Sequence, residues 1–100
     1  MKMIKLLNAI KPLQKLANAD LPLSIAYSLK KLFNELQIEV DFYVEEKQKG
    51  TNEAELLEFE IEDKDKITIP IIDTIKLSIN DLEALEPFIV FKDEVVKCNT

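Results

Sequence analysis

The pattern of apolar positions is most regular between Pro22 and Lys49. Apolar residues recur there in steps of four, three, four, four and three, which places them on one face of a helix. The members of this stripe are Ile25, Leu29, Leu32, Leu36, Val40 and Tyr43. Pro22 suits a first helical turn, and Gly50, the only glycine, follows where a C-terminal cap favours one. The pattern therefore predicts one helix over residues 22–49.

The predicted length of this helix leaves two interpretations open. At about 1.5 Å per residue it spans about 42 Å, whereas a compact domain of this size has a radius of gyration of only about 13 Å. One end is then expected to project, or to pack on a second copy. The helix is either an amphipathic core helix or an intermolecular helix seam. Tyr27 and Tyr43 are expected to be core residues with their hydroxyls at the rim.

The N-terminal segment contains a proline that limits any helix there. Pro12 removes a backbone donor and strains a helix that has already begun at residue 2. We therefore predict a short strand over Lys2–Leu7 and a first helix over Ala9–Asn18, with Asn8 as its N-cap. Residues 18–22 form a tight connection, so the two helices are expected to make a helical hairpin with unequal arms.

After Gly50 the period of the pattern changes. Asn52 and Glu55 have the spacing of a capping box, which predicts a short helix over Glu53–Leu57. Apolar and polar residues then alternate over 57–62 and again over 67–71, on either side of a polar loop. This alternation predicts an antiparallel β-hairpin. Residues 57–62 are either a strand or the tail of a helix, and the alternation favours a strand. Because Pro70 lacks a donor, residues 67–72 should be an edge strand or end there.

The C-terminal part predicts one more helix and one more strand. Asn80 and Glu83 have capping-box spacing, and Pro87 should end the helix that they begin. Four consecutive apolar residues follow, and they form either a last strand or a docking segment for a partner. These residues are Phe88, Ile89, Val90 and Phe91. Ile75–Leu77 is expected to be extended, and the tail 92–100 is expected to fray, although Val95 and Val96 could lengthen the last strand.

These elements together predict an α+β fold. In it a short and a long helix form a helical hairpin packed on a small antiparallel sheet, with a short C-terminal helix. The 100 residues are 47% apolar, enough for a single domain over residues 1–91 with its own core. The chain has no run of about 18 apolar residues and no signal-peptide pattern. Cys98 is the only cysteine, so we expect an intracellular setting without a disulfide.

Charge is distributed unevenly along the chain. Residues 1–34 have a net charge of +5 and residues 35–100 a net charge of −11, which together give the overall −6. All 13 basic residues are lysine, which lacks the planar fork of arginine, and this argues against direct nucleic-acid binding. The acidic run over 35–65 is either a solvated face or a surface for a basic groove on another protein. The candidate residues for such a surface are Glu35, Glu39, Glu45, Glu46, Glu58, Glu60, Glu62 and Asp63.

The residue types required by common catalytic sites are missing. The chain has no histidine, one cysteine and one glycine, which excludes Cys/His zinc sites, a Cys–His nucleophile and phosphate-binding glycine loops. The carboxylates of Glu35, Glu39 and Asp41, or those that alternate along 58–62, could bind a divalent cation, but neither set has a known loop signature. We therefore expect no enzyme activity, no cofactor and no specific metal site.

The order of segments resembles a known family. An opening strand and short helix lead to DLPLSIAYSLKKL at 20–32, ELLEFEI at 55–61, IPII at 69–72 and LEALEPFI at 82–89. In this order the chain resembles a family of short, uncharacterised proteins of tailed bacteriophages and prophages of Gram-positive bacteria. The resemblance covers most of the chain and carries no catalytic residues. It implies a phage protein that works in the cytoplasm of an infected bacterium or in the virion.

Two functions follow from these observations. The first is a non-enzymatic protein-interaction module, an oligomeric accessory protein of phage development or of the virion. The alternative is an anti-defence inhibitor, of the anti-CRISPR or anti-restriction type, that binds a host nuclease through an acidic surface mimicking nucleic acid. In both cases the partner is a protein, either a second copy or a host or phage protein, with no direct nucleic-acid or membrane contact.

Overall fold

The first helix, α1, spans Met3–Ala17 in the computed structural model, which describes residues 1–72 and 75–92. The prediction of a strand over Lys2–Leu7 and of a helix beginning at Ala9 is therefore wrong. Of the strand only Lys2 remains, in an isolated antiparallel bridge with Glu60. Pro12 lies inside the helix and is itself buried.

Burial explains why α1 continues through its proline. A proline in a helix interior costs about 3 kcal/mol, but each fully buried large apolar side chain contributes about 1.5–3 kcal/mol. Several such side chains line one face of α1, so their burial outweighs the lost hydrogen bond. The side chains with no exposed surface are Met3, Leu6, Ala9, Leu13 and Leu16.

The long helix, α2, spans Leu23–Gln48 and confirms the predicted element within about one residue at each end. Lys49 is its C-cap, and Gly50 follows with a φ of 95°, the left-handed backbone expected after a helix end. The inner face of α2 packs on the core through Leu29, Leu32 and Leu36. Pro22 lies at the N-cap, one position before the predicted first turn.

Burial divides α2 into two parts. All three of its fully buried residues lie within residues 23–36, which we call the base. Residues 37–48, all of which the structure describes, include no buried side chain, and Val40 and Tyr43 are only half-buried. We call these residues, together with the helix α3 at Glu53–Leu57, the arm. The protein measures 58 × 25 × 20 Å along its principal axes, so it is elongated as the long helix predicts.

The helix α3 confirms the short helix expected after Gly50. The side chain of Asn52 accepts a hydrogen bond from the backbone N–H of Glu55, and Leu56 is buried. The prediction that residues 57–62 form a strand is wrong, since Leu57 ends the helix and only Glu60 has strand-like pairing. The cap and the burial of Leu56 favour the helix, although the alternating pattern continues past it.

Two short strands form the sheet that the structure describes. The strand β1 at Ile67–Pro70 pairs in parallel with β2 at Ile89–Lys92, with Ile67 beside Ile89. The predicted antiparallel sheet is therefore not confirmed. A helix connects the two strands, and such a connection returns the chain in the same direction, as parallel pairing requires. Pro70 ends β1, as predicted.

The connecting helix, α4, spans Ile79–Leu85 and is followed by Pro87, in agreement with the predicted stop. Its capping box is formed by Ser78 and Asp81, not by the Asn80 and Glu83 that the spacing favoured. The segment 75–77 is not assigned to a strand. The predictions for the tail, including Val95, Val96 and Cys98, fall on 93–100 and lie outside the described residues.

The core is shared by α1, α2, α4 and both strands. Leu13 and Leu16 of α1, Leu29 and Leu32 of α2, and Ile69 of β1 belong to one buried cluster. The other buried members are Met3, Leu6 and Ala9 of α1, Leu36 of α2, Ile61 in the loop after α3, Leu85 of α4, Phe88 just before β2, and Ile89 of β2. α1 and α2 thus pack on a common core, which leaves the opposite face of α2 outside.

Candidate interaction surfaces

The outer face of α2 carries large apolar side chains that the fold does not bury. Leu23 is 85% exposed, Ile38 69% and Tyr27 62%, and Phe42 is at the edge of this face with 36%. At about 100° per residue these four side chains fall within an arc of about 100°, on the side away from the core. We call these four residues the outer face. Single exposed apolar residues are ordinary, but a row of them along one helix is typical of an interface.

The outer face was not predicted from the sequence. The stripe that the periodicity identified is the inner one, and Tyr27 was expected in the core, whereas the structure leaves it exposed. The available signal was spacing, because Leu23 and Tyr27 are four positions apart, as are Ile38 and Phe42, and Ile38 lies 11 positions after Tyr27. Such spacing keeps residues on one side of a helix. Polar residues between the two pairs concealed it.

Charge along α2 changes sign near its middle. Residues 23–34 contain two lysines, Lys30 and Lys31, and no acid, whereas residues 35–48 contain five acids and one lysine. The ammonium group of Lys31 lies 5.8 Å from the centre of the Tyr27 ring, which places this positive charge at the outer face. The helix therefore offers a positive half and a negative half beside the same apolar row.

A second apolar surface is a groove of about 510 Å³ beside α4. Its described lining is mainly aliphatic and includes Ile71, Ile72, Ile75, Ile79, Leu82 and Phe91. Ile79 is 77% exposed at the start of α4. The groove is held in place by the capping box of α4 and by an ion pair of 2.7 Å between Lys15 Nζ and Asp81 Oδ2. The Lys15 ammonium, together with the Ser78 backbone, lowers the pKa of Asp81 below its ordinary 3.8.

The predicted acidic surface is largely paired with cations of the same chain. Lys2 binds Glu58 at 2.7 Å, and Lys64 binds Glu39 at 2.8 Å. Two further acids, Glu60 and Asp63, contact the α-amino group of Met1 at 3.1 and 3.0 Å, and Glu46 contacts Lys49 at 3.2 Å. Glu35, Glu45 and Glu62 have no ion-pair partner among the described residues. This surface thus has less uncompensated charge than its composition implies.

The ion pairs change the protonation of their partners. A hydrogen bond from Lys49, helped by Thr51, lowers the pKa of Glu46, and the Glu58 carboxylate raises the pKa of Lys2. Asp63 and Glu60 raise the pKa of the Met1 amino group. The ion pairs of Met1 and Lys2 attach the loop after α3 to the start of α1, whereas the pair of Glu46 and Lys49 lies at the C-terminal end of α2.

Three polar side chains hold α3 against α2. The Tyr43 hydroxyl donates a hydrogen bond of 2.9 Å to Glu53, and Lys47 Nζ lies 3.0 Å from the same carboxylate. Lys47 and then Tyr43 lower the pKa of Glu53, while the hydrogen bonds to Glu53 raise the pKa of both Lys47 and Tyr43. The rings of Phe42 and Phe59 lie 5.2 Å apart beside this cluster. These groups lie near the surface, and we call Tyr43, Lys47 and Glu53 the clamp because they connect α3 to α2.

The apolar segment predicted to bind a partner lies partly in the core. Phe88 has no exposed surface and Ile89 only 5%, so these two side chains are not available on the surface of this fold. The side chain of Val90 in β2 is exposed, and Phe91 lines the groove beside α4. The structure therefore places this segment in a strand, which is one of the two alternatives that the sequence left open.

The carboxylates proposed as possible cation ligands are not brought together. Within residues 1–72 and 75–92 no group of three or more Cys, Asp or Glu side chains is placed to hold a metal ion. Asp41 instead accepts a hydrogen bond of 2.9 Å from Gln37 on the same helix. Of the helices in this part of the chain, none combines the length and apolar character needed to cross a bilayer.

Comparison of the chain with protein-family models, with curated proteins and with solved structures found no match.

Proposed function

We propose that this protein is a non-enzymatic protein-interaction module that works as a homo-oligomer. The observation that supports the proposal is the outer face of α2, where Leu23, Tyr27 and Ile38 are more than half exposed in a single chain. Each square ångström of apolar surface removed from water is worth about 25 cal/mol. Self-association offers this row of side chains the burial that the fold of one chain does not.

The shape of the arm supports the same proposal. Residues 37–48 of α2 extend the helix beyond the part that is buried, and α3 and the loop after it contact this extension. We also propose that α1 and α2 form an unequal helical hairpin, since both contribute leucines to one core. In such a hairpin the longer helix presents its outer face along its whole length, which suits a second helix as partner.

The biological setting is a further part of the proposal. The order of segments resembles small proteins of tailed phages, and this resemblance supports an accessory role in phage development or in the virion. A protein of this kind works in the cytoplasm of the infected bacterium or in the particle. The pairing of most predicted acidic residues within the chain gives no support to the nuclease-inhibitor alternative, so the apolar surface carries the proposal.

Sedimentation equilibrium over a wide concentration range tests the proposal. The chain has a mass of 11.5 kDa, and we expect the apparent mass to rise reversibly to at least twice this value as the concentration increases. Light scattering after size exclusion gives an independent mass at the upper end of the range. A mass that stays at that of one chain up to millimolar concentration contradicts the proposal.

A further inference from the structure

We infer that the oligomer is built on an antiparallel pair of α2 helices that contact each other through the outer face. The inference rests on the proposed self-association and adds the surface, the partner and the direction. The partner is a second copy of this chain. Two features of α2 support it independently, namely the spacing of its exposed apolar side chains and the reversal of its charge.

The apolar side chains are spaced so that an antiparallel copy matches them. Two identical antiparallel helices bring together residues whose numbers have a constant sum, apart from small shifts. The sum is 65 for Leu23 with Phe42 and also for Tyr27 with Ile38. One alignment therefore brings Tyr27 of each copy against Ile38 of the other and Leu23 against Phe42. Each contact occurs twice, as a two-fold interface requires.

The charges of the same alignment are complementary. Lys31 of one copy faces Asn34 of the other and is within reach of Glu35 there, one helical position away. The positive half of each helix lies beside the negative half of its partner, which lowers the electrostatic energy of this pairing. In a parallel pair the lysines face lysines and the acidic halves face each other, which disfavours it. The polar residues Lys31 and Asn34 at the centre of this interface also favour this alignment over alignments shifted along the helices.

The described fold leaves most of this face uncovered. The core lies on the opposite side of α2, where Leu29, Leu32 and Leu36 are buried. Among the described residues neither Lys31 nor Glu35 forms an ion pair, so both charges can be used between copies. Phe42 touches Phe59 at its own edge and keeps about a third of its surface exposed.

A matched pair of isoleucines tests the surface. Ile38 on the outer face and Ile79 beside the groove are similarly exposed, at 69% and 77%. We expect Ile38→Ser to weaken self-association at least tenfold, and Ile79→Ser to change it less than twofold. Circular dichroism verifies that both variants keep the fold. Equal effects of the two variants, or a larger effect of Ile79→Ser, overturn the assignment to α2.

A charge exchange tests the pairing of Lys31 with Glu35. We expect Lys31→Glu and Glu35→Lys each to weaken self-association several-fold, and the double variant to restore it, since the exchange reverses both pairs. Lys11→Glu on the exposed side of α1 is the control, because it changes the net charge as Lys31→Glu does. Failure of the double variant to recover, or an equal loss in the control, overturns this contact.

Cysteine cross-linking tests the direction. In a Cys98→Ser background, Tyr27→Cys and Ile38→Cys are oxidised separately and as a mixture. Antiparallel copies hold equal positions about 16 Å apart along the helix, too far for a disulfide, which needs Cα atoms within about 7 Å. We expect a cross-linked dimer only in the mixture. A dimer from Tyr27→Cys alone, or none in the mixture while the parent chain self-associates, overturns the antiparallel pair and leaves the proposed function standing. A parent chain that stays monomeric overturns both.

Discussion

The base and the arm of α2 belong to one continuous helix, yet different interactions hold them. In the base, Leu29, Leu32 and Leu36 are buried in the common core. In the arm the helix has no buried side chain of its own, and α3 is attached through Leu56 and the polar clamp at Glu53. A continuous helix can therefore have different local stability along its length. The base is stabilised by burial, whereas the arm depends mostly on surface contacts, which are individually weak.

The largest expected effect is that of a cavity in the base. Leu32 is 4% exposed and lies in the core cluster, so Leu32→Ala should lower the free energy of unfolding by about 2–5 kcal/mol. Urea denaturation followed by circular dichroism measures this change. Measuring at low protein concentration prevents self-association from contributing to the free energy of unfolding. Leu23→Ala on the outer face is the control and should stay within about 0.5 kcal/mol.

The matched truncation in the arm should have a smaller and more local effect. Leu56 is 3% exposed, but it lies outside the core cluster that Leu32 belongs to. We expect Leu56→Ala to cost about 2 kcal/mol, at the lower end for buried leucines, because the neighbouring side chains and water can fill the site. Hydrogen exchange should show lost protection in residues 40–57 and little change in α1. Equal loss of protection throughout the protein contradicts the distinction between base and arm.

A substitution at the end of the arm should have a still smaller effect. Gly50 has a φ of 95°, and a Cβ atom added there meets nothing within 4 Å. Backbone strain alone should therefore make Gly50→Ala less stable by about 1 kcal/mol. Gly50→Asn is the control, and it should cost less because asparagine tolerates a left-handed backbone better. An alanine variant as stable as the parent chain contradicts the strain argument.

The smallest expected effect is the acid sensitivity of the clamp. Because Lys47 and Tyr43 lower the pKa of Glu53 below 4.5, the clamp stabilises the arm above that pH. Its contribution should be lost as the pH falls from about 4.5 through the lowered pKa, since the protonated carboxyl no longer pairs with Lys47. An NMR titration of the Glu53 carboxyl carbon should give a midpoint below 4.5. Lys47→Met should move this midpoint upward, and an unchanged midpoint contradicts the assigned cause.

The raised pKa values of the same clamp define its upper limit. Lys47 and Tyr43 are both held in their protonated forms by Glu53. Their contribution should therefore be complete below about pH 10 and lost only as the pH rises through their raised pKa values. Stability of the arm should consequently change little between pH 5 and pH 9.

Local patterns predicted the long helix well and the sheet poorly. The inner stripe of α2 and the glycine after it depend on spacing within one segment, so the sequence contained the information needed for both. The strand predicted at residues 57–62 and the antiparallel pairing depended on which segments meet. Leu56 is buried within the arm and Ile89 lies beside Ile67, and neither contact has a local signature. The same limit applies to Pro12, whose cost in α1 is outweighed by contacts with distant residues.

The candidate interaction surfaces show the same difference between what local patterns predict and what contacts between distant segments decide. The acidic residues were proposed from composition, but only the structure showed that Lys2, Lys64, Lys49 and the Met1 amino group pair with most of them. The outer face was not recognised, because its apolar residues are sparse and the inner stripe dominates the periodicity. Exposure is a property of the assembled fold, so no count of residue types could have distinguished the two faces of α2.

Local patterns were sufficient for the elements whose stabilising interactions lie within one segment, namely the length of α2, the glycine that ends it and the short helix α3. Contacts between distant segments set the rest: α1 continues through Pro12, β1 and β2 are parallel, and Leu23, Tyr27 and Ile38 stay exposed. The two groups of features differ in the range of the interactions that stabilise them. Periodicity and caps act over a few residues, whereas burial and ion pairing are settled between segments that are distant in the chain.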